Sequence, residues 1–98
     1  MNVRFLTVAQ KEVDDTVQWF NERAEGKGLE FLDELDRAIR RIRKFPLAAF
    51  EIETEIRRTL IARFPYSVVY GIDNETIVVI AVAHSHRKPD YWMDRILL

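Results

Sequence analysis

Tyr66-Ser67-Val68-Val69-Tyr70-Gly71-Ile72, then Asp73-Asn74-Glu75, then Thr76-Ile77-Val78-Val79-Ile80-Ala81-Val82-Ala83 is the stretch on which the fold turns. Two runs rich in β-branched and aromatic residues, flanking a short polar turn, predict an antiparallel hairpin. In the second run Ile77, Val79 and Ala81 fall on one face and Val78, Ile80 and Val82 on the other, by the period of two. A strand with no wet face belongs inside a sheet, covered on both sides. The chemistry changes where this strand ends, with His84, His86, Arg87, Lys88, Asp90, Tyr91 and Trp92 close together. Protonatable and aromatic groups clustered where a buried strand surfaces mark the candidate working site.

Working outward, Ile56 to Ala62 is a third strand, separated from the hairpin by the turn Arg63-Phe64-Pro65 because Pro65 cannot donate to a ladder. Arg57 and Arg58 point to opposite faces of this strand, so one of them looks into the open face of the sheet. Leu47 to Glu55 has no clear period and is expected to be a connector. Before it, Leu32, Leu35, Ile39 and Ile42 form the core stripe of a helix from about Leu29 to Lys44, widened by Phe31, Ala38 and Phe45 and ended by Pro46. Ala9, Val13, Val17, Phe20 and Ala24 make an earlier helix with one buried face. Glu12, Asp14 and Asp15 are expected in its first turns, where they suit the helix dipole. Trp19 sits at the edge of the stripe, either as packing or as part of a partner surface. Gly26-Lys27-Gly28 stops this helix. Val3 to Val8 is a short first strand, and residues 90–98 are a short helical tail. The expected fold is therefore one α+β domain over residues 1–98: an N-terminal strand, an antiparallel helical hairpin, then a three-stranded antiparallel meander completing a twisted sheet.

Composition narrows the function. The chain has no cysteine, which excludes a disulfide framework and thiolate metal ligands. It has no run of about eighteen apolar residues and no signal-peptide pattern at its start, so a cytoplasmic protein with no membrane partner is expected. The net charge of -1 is uneven: residues 1–55 hold nine Lys or Arg against twelve Asp or Glu, and residues 56–98 six against four. General nucleic-acid affinity, which needs many phosphate contacts, does not fit, while a local basic patch does. The basic run Arg37, Arg40, Arg41, Arg43 and Lys44 is read as dipole complement and as pairing with Asp33, Glu34 and Asp36.

The order of elements, with Phe-Pro-Tyr-Ser-Val-Val-Tyr at 64–70, the apolar strand at 76–83 and His-Ser-His-Arg-Lys-Pro-Asp-Tyr-Trp at 84–92, resembles the RelE/ParE superfamily of bacterial toxins. Pro89 followed by Tyr91 and Trp92 is closer to the ParE-like branch. The resemblance implies the toxin of a type II toxin-antitoxin pair, held inactive in a hetero-oligomer by a cognate antitoxin that adds to grooves or sheet edges. It implies either of two targets on one fold, ParE-like members poisoning DNA gyrase and RelE-like members cutting messenger RNA in the ribosome without metal, or else a degenerate member that only binds its antitoxin. No cofactor follows from either.

For the nuclease, a 2'-hydroxyl must be deprotonated, the phosphorane needs cationic donors, and the leaving oxygen needs a proton. The matching positions here are Arg58, His86, Arg87 and Tyr91, but Leu60 and Ser67 stand where the family places two further cations. That departure favours the gyrase-directed reading, in which Arg63, Arg87, Lys88 and Trp92 form a target- or nucleic-acid-binding surface. His84 is expected to make a structural hydrogen bond where the strand leaves the core. His84 and His86 share a strand face, yet a metal site would need a third ligand such as Asp90 to converge, and no metal is expected.

Overall fold

A computed structural model describes residues 1–96; Leu97 and Leu98, expected at a partner surface, lie outside the described residues. The elements run β1 (Asn2–Phe5), α1 (Thr7–Arg23), α2 (Lys27–Lys44), β2 (Phe50–Glu53), β3 (Ile56–Leu60), β4 (Tyr66–Asp73), β5 (Thr76–His84) and a single 3-10 turn, Met93–Arg95, which is the short C-terminal helix. They build the expected α+β fold, with the strands ordered β1-β5-β4-β3-β2. The helical hairpin carries the chain back across the sheet, so β1 joins β5 in parallel, from Asn2 opposite Thr76 to Phe5 opposite Val79. All other neighbours are antiparallel. Asn74 and Glu75, both at positive φ, form the two-residue turn between β4 and β5, whose twist matches the flanking strands.

Five details depart from the sequence-based expectation. The connector contains an edge strand, β2, so the meander has four strands. β2 hides from pattern analysis because an edge strand of four residues, Phe-Glu-Ile-Glu, buries almost nothing. Second, β1 stops at Phe5. The Leu6 N–H still donates to the Val79 carbonyl (3.0 Å), but the Leu6 carbonyl already accepts from Gln10 N–H (2.9 Å), which starts α1. That early start removes any acid from the first helical turn, so the dipole role of Glu12, Asp14 and Asp15 falls. Asp14 instead accepts from the Gln10 amide and Asp15 pairs with Lys11.

Third, only Gly26 holds the turn between the helices, with φ +80°; Gly28 lies inside α2. Its bare Cα lets α1 come close: a Cβ there would stand 2.7 Å from the Val17 carbonyl oxygen, and Asn21 Oδ1 accepts the Gly28 N–H (2.8 Å). Fourth, the buried stripe of α2 is Gly28, Phe31, Leu35, Ala38 and Ile42, whereas Leu32 and Phe45 are exposed. Both stripes obey the 3-4 spacing and share Leu35 and Ile42, so periodicity leaves the helix rotation open by one position. Tertiary packing chooses, because the Phe31 ring enters an aromatic cluster with Phe20, Phe64 and Tyr66 at centroid distances of 5.3–5.9 Å.

The fifth concerns the two faces of β5. Pairing with β4 jumps from Val69 opposite Ala81 to Tyr70 opposite Val79, which leaves Ile80 as a bulge. The extra residue flips parity. Ile77, Val79 and Val82 pack under the helices with Val68 and Tyr70, while Ile80 and Ala81 join Val69, Ile56 and Trp92 in a second cluster on the opposite face. That face is therefore not left open: the segment after β5 folds back across part of it. Among the described residues no helix is long and apolar enough to cross a membrane.

Candidate functional site

The face away from the helices carries most of the candidate site residues. Arg57 lies opposite Tyr70, which packs under the helices, so Arg57 turns the same way and is consumed in structure. Its guanidinium donates to the carbonyls of Leu47 (3.1 Å) and Ala49 (2.7 Å), holding the chain that leads into β2. Arg58 lies opposite Val69 and thus faces the other side. There Arg58, Ser67, Arg87, Lys88, Tyr91 and Trp92 line a cleft of about 240 Å³ between the sheet and the returning C-terminal segment. The structure so brings together five of the predicted positions, from β3, the β5 exit and the tail.

Electrostatically the cleft is one-sided. Among the described residues Arg58, Arg87 and Lys88 have no carboxylate within ion-pair distance, unlike Arg37, Arg40 and Arg63. Arg87 is not free to swing at random, because its guanidinium lies over the Tyr91 ring, 3.9 Å from the centroid. Cations without partners at a concave surface keep their field for a ligand, at the cost of mutual repulsion in its absence.

Other predicted residues fall elsewhere. Arg63 sits at the β3–β4 turn beside a second cleft of about 530 Å³, with Trp19, Phe20, Phe64, Tyr66 and His84, and its charge is shared with Glu30 (3.5 Å) and Glu34 (3.4 Å) of α2. Trp19, of the two readings open to it, is a half-exposed side chain under a stacked Arg23 guanidinium (3.6 Å). Trp92 corrects the expectation of a docking surface: at 3% exposure its side chain belongs to the core cluster of Ile56, Val69, Ile80 and Ala81. A ring that caps the apolar face of β5 has no area left to offer a partner. His84 Nδ1 accepts the backbone N–H of His86 (3.0 Å), and its ring meets Tyr66 edge-on. His86 is exposed in the turn beyond. Among the described residues no three His, Asp or Glu side chains converge on a metal position.

Sequence reasoning missed Glu12 and Arg95. Both lie where β1 ends and β5 continues alone. The Val82 N–H, which would otherwise lack a strand partner, donates to Glu12 Oε1 (3.0 Å), and the Ile80 carbonyl accepts from Arg95 Nη1 (3.0 Å). The two side chains close on each other as a bidentate ion pair, Nη1 to Oε1 at 2.9 Å and Nη2 to Oε2 at 3.0 Å. Glu12 Oε2 also accepts the Tyr91 hydroxyl at 2.6 Å. Burial first, then this hydrogen bond and the carboxylate's charge, hold the Tyr91 phenol well above its usual value of 10.0. The bidentate bond from Arg95 to Glu12 in turn raises the affinity of the Arg95 guanidinium for its proton. No local pattern signals this arrangement, since Glu12 and Arg95 stand 83 positions apart.

The model of a protein family described as "ParE toxin of type II toxin-antitoxin system, parDE" matches residues 3–89. A chain of the solved structure "Chromosomal ParDE TA system from P. aeruginosa" superposes with a TM-score of 0.75 at 12% sequence identity, covering 86% of the present chain and 95% of that one. At that identity the likeness concerns the fold. A search of curated proteins found no match.

Proposed function

The chain belongs to the ParE toxin family of type II toxin-antitoxin systems, and from that premise we propose that it arrests growth by docking on DNA gyrase through the cationic cleft of Arg58, Arg87 and Lys88. The observation that carries this reading is the set of three cations that, among the described residues, have no carboxylate partner around a concave surface. Such a surface recognises an acidic patch or phosphates and speeds encounter with them. The cognate antitoxin of the family neutralises the toxin. Its docking has apolar surface available at the sheet edge, where Phe50 of β2 is 87% exposed and Phe45 and Leu47 are exposed on the chain leading into it.

Two observations weigh against ribosome-dependent cleavage of messenger RNA. A phosphorane intermediate needs several cations, and the positions of two of them hold Leu60 and a buried Ser67, a deficit worth several kcal/mol of transition-state binding. In addition, the Tyr91 hydroxyl is bonded to Glu12 and holds its proton firmly, which makes it a poor proton donor or acceptor in catalysis.

The deciding experiment uses one induced culture, mapping cut sites in messenger RNA while probing plasmid supercoiling and trapped gyrase-DNA cleavage complexes. Intact messages with relaxed or broken DNA are expected. Cuts within translated codons and undisturbed supercoiling would overturn the reading and make Arg58, His86, Arg87 and Tyr91 the nuclease site.

A further inference from the structure

The Glu12 carboxylate is used by four donors on three parts of the chain. It takes the Val82 N–H of β5, both outer nitrogens of Arg95, and the hydroxyl of Tyr91. It reaches them from the second turn of α1, on the far side of the sheet edge that β1 leaves uncovered. The Tyr91 ring fixed in this way is the platform for Arg87, whose guanidinium stands 3.9 Å from its centroid. The Arg95 guanidinium stands 5.0 Å from the same ring, so the clamp's own cation lies close to the platform too. A route of direct contacts therefore runs from Glu12 through Tyr91 to a cation of the cleft, although Glu12 is not itself a lining residue.

From this geometry we infer that Glu12 is the positioning residue of the cationic cleft: it sets Tyr91 in place and, through Tyr91, aims Arg87 at the target. The inference rests on the cleft being the working face of the toxin, though not on which target it meets. Glu12 has no need to contact the target, and its effect is on the placement of charge rather than on its amount. A long arginine side chain loses much rotational freedom when it binds, and a ring beneath it removes part of that loss beforehand.

The test is a double-substitution series in the full chain, produced with its antitoxin and scored for growth arrest on induction, with antitoxin capture and melting temperature as controls for folding. Tyr91→Phe keeps the ring and the Glu12–Arg95 pair and cuts only the link between them. Glu12→Gln keeps an oxygen for the Val82 N–H and removes the charge. Each is expected to need roughly tenfold more toxin for the same arrest, with antitoxin capture unchanged. In an Arg87→Ala background, neither should add to the loss, because both act through Arg87. A folded Glu12→Gln or Tyr91→Phe chain as potent as the wild type overturns the inference, as does a full additional loss on top of Arg87→Ala. Should Glu12→Gln fail to fold, Tyr91→Phe decides within the same series. If Arg87→Ala alone leaves arrest intact, the cationic cleft itself is refuted as the working face, an outcome distinct from failure of the Glu12 link.

Discussion

Replacing Trp92 with alanine should cost stability before it costs anything else. The side chain is 3% exposed and packs against Ile56, Val69, Ile80 and Ala81, the apolar floor of the sheet face opposite the helices. Removing a buried tryptophan costs about 3–5 kcal/mol through lost burial and the cavity left behind. A domain of this length has about 5–15 kcal/mol in all, so the substitution consumes a large share of it. For a chain this size each kcal/mol moves Tm by about 4–8 °C, which places the drop at no less than about 12 °C. Phenylalanine keeps most of the apolar contact and should lose only about 1–2 kcal/mol. The assay is thermal and denaturant unfolding of the toxin after separation from its antitoxin, with growth arrest scored in parallel. Had the ring been a docking anchor, the pattern would be reversed: unchanged melting and a loss of 2 kcal/mol or more in target binding, as at interface hot spots. An alanine variant that melts like the wild type yet fails to arrest growth would refute the placement of Trp92 in the core.

Gly28→Ala sets helix propensity, which favours alanine by about 1 kcal/mol, against a Cβ 2.7 Å from the Val17 carbonyl oxygen, a backbone atom of the facing helix. Overpacking of about 1–3 kcal/mol should win, and a higher Tm would show that it does not. Tyr70→Phe removes the hydrogen bond from its hydroxyl to the Pro46 carbonyl (2.7 Å) and should destabilise by about 1 kcal/mol, read from the denaturant midpoint; no change would mean that water replaces the hydroxyl. Tyr70 and Tyr91 both have phenols raised above 10.0, chiefly by burial. The unfolded chain ionises these groups first as pH rises, so their contribution is whole below pH 10 and is lost above it. On alkaline titration the phenolate absorbance of Tyr91, taken as the difference from Tyr91→Phe, should appear only well above pH 10; its appearance near pH 10 with the fold intact would contradict the buried bond to Glu12.

The hairpin from Tyr66 to Ala83 and the helical pair were legible because each depends on short-range patterns: period two with a polar turn, and 3-4 spacing ended by Gly26 and Pro46. Where two local solutions were equivalent, pattern was silent. Leu32 and Phe31 offer α2 equally good stripes, and the aromatic cluster around Phe64 selects between them. β2 escaped notice because an exposed edge needs no apolar alternation, and the Ile80 bulge because nothing in the seven successive apolar residues 77–83 marks an extra one.

For the candidate site, the residue types clustered after His84 flank the sheet face away from the helices, and the strand period stated that one of Arg57 and Arg58 must share it. Which one it was depends on what lies across the ladder. Arg57 pairs with Tyr70 beneath the helices and Arg58 with Val69 beside the cleft. Trp92 and Glu12 exchanged their expected roles for a related reason. An aromatic residue in a polar run reads as surface, and an acid near a helix start reads as a dipole partner, until the chain folds back. Then the uncovered flank of β5 and its bare Val82 N–H and Ile80 carbonyl must be covered and satisfied. Elements follow from neighbours a few residues away. The burial of Trp92, the bond of Glu12 to Arg95 and the gathering of three cations in one cleft follow from contacts between distant segments, which no local pattern encodes.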